Sequence, residues 1–148
     1  MRTNRRFMAV GLAGLVLAGL GAAGCSQAPS GAAAAEEAVH VEKNEATGLS
    51  TLTLSAKAGE RLGIATAAVS ASGSGTAIPY AALVYDKTGK TWVYTNPQGR
   101  DFVRHEIAVE RIEGDLAILS SGPPVGTAVV TVGTAELWGV DTGVGGGH

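Results

Sequence analysis

Apolar and polar positions change their rhythm three times along the chain. Residues 7 to 24 form an uncharged run containing Leu12, Leu15, Val16, Leu17 and Leu20. From Ser26 to about Gly48 there is almost nothing large and apolar. After Leu49 the period becomes that of strands: Leu52 and Leu54 alternate with Thr51, Thr53 and Ser55, which predicts a first strand with one buried face. Lys57 to Arg61 reads as a polar break or a single helical turn, and Leu62 to Val69 as a second extended run. Ser70 to Gly75 has the composition of a flexible linker.

The segment beyond is richer in β-branched and aromatic residues and carries most of the core. Pro79 opens a predicted strand, Tyr80 to Tyr85, at a position where a missing N–H is tolerated. Asp86-Lys87-Thr88-Gly89-Lys90 is a hairpin turn whose glycine suits positive φ, and Thr91 to Thr95 returns from it. Asn96 to Arg100 is a second turn. In the next strand the alternation places Val103, His105, Ile107 and Val109 inward, with Arg104, Glu106 and Glu110 outward. Glu113-Gly114-Asp115 turns into Leu116 to Leu119, Gly122-Pro123-Pro124 breaks that strand, and Val125 to Val132 makes another. Short strands with tight turns and no long amphipathic helix predict an all-β fold, a small antiparallel barrel or sandwich, over residues 49–138.

The N-terminus bounds where this domain works. Arg2, Arg5 and Arg6 precede the apolar run, which ends Gly21-Ala22-Ala23-Gly24-Cys25. This is the layout of a secretory signal over residues 1–24, and the small residues before Cys25 are similar to a bacterial lipobox, with Ala22 where Leu is usual. Cys25 is therefore the expected lipidation site. An ordinary cleaved signal and an uncleaved anchor are the alternatives, although 18 residues with 5 glycines are a marginal span for a hydrocarbon core about 30 Å thick. Residues 25–48 are expected to be a disordered tether, since such a stretch cannot offset its ordering entropy. A tether of that length would hold the domain about 25 Å from its lipid, on the outer face of the cytoplasmic membrane.

Composition removes whole classes of function. From Cys25 onward, eight basic residues face thirteen acidic ones, and a chain of net charge −5 lacks the basic face that nucleic acid requires. One cysteine permits no disulfide framework or multi-thiolate zinc site. The histidines, His40, His105 and His148, are not closely spaced; His40 and His148 offer at most weak metal capture by the Gly145-Gly146-Gly147-His148 end of a Gly-rich tail at 139–148, and His105 is expected in the core. Ser120 and Ser121 lack a nucleophile-elbow frame. Asp86, Asp101, Asp115 and Asp141 lie at or beside turns, where backbone capping accounts for them. No enzymatic constellation and no cofactor site are expected. Tyr80, Tyr85, Trp92, Tyr94 and Trp138 are first of all core and barrel-end residues. Tyr80, Tyr85 and Trp138 are the candidates for a partner-binding surface, with Trp138, beyond the last strand, expected to be exposed.

Thr53-Leu54-Ser55 with Glu60-Arg61-Leu62-Gly63-Ile64-Ala65-Thr66 is similar to the segment preceding the lipoyl-like domain in periplasmic adaptor subunits (membrane fusion proteins) of resistance-nodulation-division efflux systems. Ile78-Pro79-Tyr80 to Val84 followed by Thr91-Trp92-Val93-Tyr94 resembles that family's proline-led strand, turn and Val-Tyr strand. Val103 to Val109, Gly114-Asp115 and Pro124 to Val130 resemble the strands that follow, and Ala135-Glu136-Leu137 resembles the tail. The chain departs from the family in joining these parts by Ser70 to Thr76 alone, with no lipoyl-like or α-hairpin domain between them. The resemblance implies a permuted SH3-like barrel and a lipid-anchored, adaptor-like interaction module beside an efflux permease. A stand-alone extracytoplasmic binding lipoprotein for a metal ion or small ligand is the alternative.

Overall fold

The computed structural model describes residues 37–144; the signal segment, Cys25 and His148 lie outside them. Ten strands and two short helices make up this part. The strands are β1 (Val39–Lys43), β2 (Ser50–Leu54), β3 (Ala65–Ala68), β4 (Ser70–Ser72), β5 (Gly75–Pro79), β6 (Val84–Tyr85), β7 (Thr91–Gln98), β8 (Asp101–Glu113), β9 (Leu116–Ser121) and β10 (Ala128–Val132), with helices α1 (Ala56–Leu62) and α2 (Thr134–Asp141). Every pairing is antiparallel, in the order β3-β10-β7-β8-β9-β5-β4. The two ends of that order, β3 and β4, are successive parts of one extended segment separated only by Val69. The sheet therefore curls back on itself as a small all-β barrel.

The bending strand is β8. Its first half pairs with β7 on one edge and β2 on the other, and its second half pairs with β9. Register irregularities between Ala108 and Arg111 mark the bend, as bulges do where a strand passes from one sheet to another. Strict alternation accordingly fails along β8: Phe102 and Ile107 are buried, while His105 is exposed. The expectation that His105 is a core residue is corrected for that reason.

The sheet is covered on both faces. Val69, Ile78, Ala82, Val93, Ile107, Ala117, Leu119 and Val129 fill the barrel interior. Leu52, Leu54, Ala58, Tyr94, Phe102, Val130 and Leu137 form a second core. Successive residues on a strand point to opposite faces, so Val93 and Tyr94 on β7, like Val129 and Val130 on β10, serve different cores. All four have no exposed surface. The hairpin β1–β2 and the two helices lie over the second core.

Several boundaries move. Residues 39–43, expected within the disordered tether, pair with β2 from Val39↔Leu54 to Lys43↔Ser50, and Val39 packs on the second core. The turn joining them is organised by Asn44, whose Oδ1 accepts from the amides of Ala46 and Thr47. Two valines spaced by one residue are a weak strand signal, but an edge strand with one covered end needs no more. Ser70 to Gly75 is not a linker: Ser70–Ser72 is a strand paired with β5. A Cβ at Gly75 would run into the Leu119 carbonyl oxygen of the neighbouring strand, so this glycine marks a close backbone approach. Pro79 ends a strand instead of opening one, and a 3₁₀ turn over Tyr80–Ala82 follows. The Asp86–Lys90 hairpin forms as expected, with Gly89 at φ 85°. Residues 139–141, assigned to the Gly-rich tail, belong to α2.

Candidate functional site

Five side chains from three elements meet at one end of the second core. Tyr94 on β7 and Arg104 on β8 are direct cross-strand partners, and Trp92 pairs with Glu106 one step along. Trp92 thus lies diagonal to Arg104 on the same face, within reach of a long side chain. Helix α2 lies over them. Trp138 and Asp141 are three residues apart on it and share a helix face.

The Arg104 guanidinium carbon lies 4.9 Å from the Trp92 ring centroid and 5.7 Å from that of Trp138, both within cation–π range. The Lys90 ammonium is 5.9 Å from the Trp92 ring and 3.1 Å from Glu106. Cations and indoles therefore alternate from Lys90 to Trp138. The indole of Trp92 is fixed by its Nε1, which donates to Asp86 Oδ2 at 3.1 Å. Asp86 Oδ1 accepts from the Thr88 hydroxyl at 2.6 Å and from the amides of Thr88 and Lys90. These donors, led by the Thr88 hydroxyl, hold the Asp86 carboxyl well below the usual carboxylate range against the opposing effect of partial desolvation.

Behind the stack the chemistry is buried. The side chain of Asp141 is 1% exposed, although its backbone at the helix end is open. Its Oδ2 accepts from the Tyr94 hydroxyl at 2.9 Å and lies 3.5 Å from Arg104 Nε. Burial first, then the Asp141 charge, push the Tyr94 hydroxyl above its ordinary titration range. Arg104 Nε is itself covered and lacks a hydrogen bond of good geometry. A cleft of about 510 Å³ opens in front, bounded by Asp86, Lys87, Arg104, Trp138, Thr142 and Val144.

The residues singled out from the sequence are dispersed. Tyr80 is 48% exposed on the 3₁₀ turn and Tyr85 54% exposed on β6. Trp138, expected to be exposed, is half-buried in α2 and packs on the second core; the helix that covers it was not legible as a strand-terminal tail. His40 is exposed on β1, and Cys25 and His148 lie outside the described residues. Among the described residues no three His, Cys, Asp or Glu side chains converge as a metal site, and no helix is long and apolar enough to cross a membrane. Arg104 and Asp141 are the residues that sequence reading missed. Arg104 looked like an outward strand charge and Asp141 like a turn cap; the Trp138-x-x-Asp141 spacing was the available signal. The chain matches no known family, no curated protein and no solved structure.

Proposed function

We propose that the chain is a lipid-anchored, extracytoplasmic docking module that sits beside an efflux permease and contributes binding and positioning. The supporting observation is the pair of exposed tyrosines on a firmly held segment. Between Tyr80 and Tyr85, Ala82 has no exposed surface, the Leu83 amide donates to the Tyr80 carbonyl, and the Tyr80 amide donates to the Asp115 carbonyl. Exposed tyrosines on ordered backbone lose little entropy on binding and are enriched among residues that dominate interfaces. The signal-like N-terminus with Cys25 and the ordered series of adaptor-like phrases supply the location and the kind of partner.

The test is photocrosslinking in intact membranes from a probe placed at position 80 or 85, with the partner identified. An efflux permease captured by wild type and lost on Tyr85→Ala at unchanged melting temperature supports the reading. Recovery of lipids and abundant bystanders alone overturns it. Cys25→Ala should move the protein out of the membrane fraction, because anchoring needs more than marginal apolar contact; unchanged membrane retention and mobility would remove the lipid from the proposal.

A further inference from the structure

Arg104 has more hydrogen-bonding capacity than the fold uses. A guanidinium carries five N–H donors in a rigid fork. Nε is sealed against Asp141, two indoles stack on the group, and neither Nη donates to any described residue. The side chain is nevertheless 21% exposed, and Arg104 lines the cleft. The edge left for a ligand is the Nη edge, whose two N–H groups can meet a carboxylate with two parallel hydrogen bonds. Held against two rings and by Asp141 at Nε, the fork is already ordered, so little rotamer freedom remains to be lost on binding.

We infer that this cleft is a receptor for a carboxylate carried on a small apolar stem. Charge decides against a phosphate dianion. Arg104 and Lys87 are the cations of the cleft and Asp86 and Asp141 its acids, so the site is neutral before a ligand arrives. A single negative charge on the Nη edge is tolerated there, whereas a second would face both fixed carboxylates. The Trp138 ring and Val144, which is 82% exposed, supply apolar surface for the stem. The inference stands apart from the docking reading, since carboxylate binding and membrane crosslinking can each fail alone.

The chain's two tryptophans are Trp92 and Trp138; Trp138 lines the cleft and Trp92 stacks on its Arg104, so fluorescence excited selectively in tryptophan, beyond the tyrosine band, reports on the cleft and its wall. The full chain is titrated with acetate, butyrate and inorganic phosphate against chloride at constant ionic strength. Butyrate should give a saturable change, with acetate about tenfold weaker for its two missing methylenes and chloride giving none. Arg104→Lys keeps the charge but loses the fork and should weaken butyrate at least about tenfold. Val144→Asp, at a position too exposed to affect folding, should also weaken it, so the result does not depend on the Arg104 variant folding. An Ala-Ala-Val peptide with a free carboxylate, compared with its amide, separates the sources. Tighter binding than butyrate assigns the site to a chain terminus, and equal binding to a free acid. The inference is overturned if chloride reproduces the butyrate change, if phosphate saturates more tightly, if the amide binds as well as the acid, or if neither variant alters the affinity.

Discussion

The two cores share β7, β8 and β10 but are built from different chemistry. The barrel interior is wholly aliphatic and lined by strands, with Ala82 of the 3₁₀ turn as an exception. The second core is finished by two helices of seven and eight residues, which are too short to be stable alone. It includes Tyr94 and Phe102 and ends in the Asp141–Tyr94–Arg104 cluster. An aliphatic interior is stabilised by burial alone and tolerates no partner. The second core leaves a charged group partly open at its margin, and that margin is where binding chemistry can sit.

Breaking the barrel interior should have the largest effect. Leu119 has no exposed surface, and Leu119→Ala should lower stability by about 2–5 kcal/mol through lost burial and the cavity left behind. Urea midpoints measure this. The loss should appear equally in probes of both cores, because β7, β8 and β10 serve both. A transition in which α2 alone melts would show that the second core does not depend on the barrel.

Removing the polar tie of the second core comes next. Asp141→Ala leaves the Tyr94 hydroxyl without its acceptor and Arg104 without its ion-pair partner. A loss of about 1–3 kcal/mol is expected, kept below the value for a fully buried ion pair because Arg104 reaches solvent. A double-mutant cycle with Tyr94→Phe should show coupling of about 1 kcal/mol. Additive effects would mean that the hydroxyl–carboxylate contact does not hold α2 to the sheet.

The barrel was the readable part of the sequence and the tie was not. Leu52/Leu54, the Asp86–Lys90 turn, Gly114 and Gly122-Pro123-Pro124 are local signals, and each lands where the pattern puts it. The strand β4, the hairpin strand β1 and helix α2 depend on what lies opposite them. Ser70-Ala71-Ser72 has a linker's composition and becomes a strand because β5 is beside it. Arg104 alternates correctly as a polar residue, yet the face it occupies is covered by a helix that the tail's composition concealed. A strand covered on both faces loses the period-2 signal, so nothing in Val93-Tyr94 or Val129-Val130 tells that the two residues of each pair serve different cores. The site residues lie where two such coverings meet, so pairwise sequence spacing carries little of their arrangement.

Alkaline titration sharpens the comparison, because among the groups of the two cores only Tyr94 bonds a buried carboxylate through its proton. Its folded pKa is raised above the ordinary value of 10.0. Below pH 10 the native and unfolded chains both hold the proton and this contribution is fully present. Above pH 10 the unfolded chain releases it first, so stability falls by up to about 1.4 kcal/mol per pH unit until the native group titrates. The difference between wild type and Tyr94→Phe at pH 9 and pH 11 isolates the group. A pH-independent difference would mean that Tyr94 ionises alike in both states.

The smallest effect belongs to the rim, at Asp86. Its carboxyl is depressed, chiefly by the Thr88 hydroxyl and also by the Trp92 indole; its contribution is therefore present above the unfolded value of 3.8 and lost only as pH falls through a lower folded value. The Trp92 Nε1–H resonance should accordingly stay at its native position from pH 6 to pH 3, while exposed carboxylates titrate. Asp86→Asn keeps an amide oxygen for the turn but removes the charge that accepts from the indole N–H, so that resonance should move and exchange faster with solvent, with a thermal destabilisation smaller than that of Asp141→Ala. If it titrates near pH 4 in the wild type, Asp86 does not hold Trp92 against Arg104, and the order of the stack must come from α2 alone.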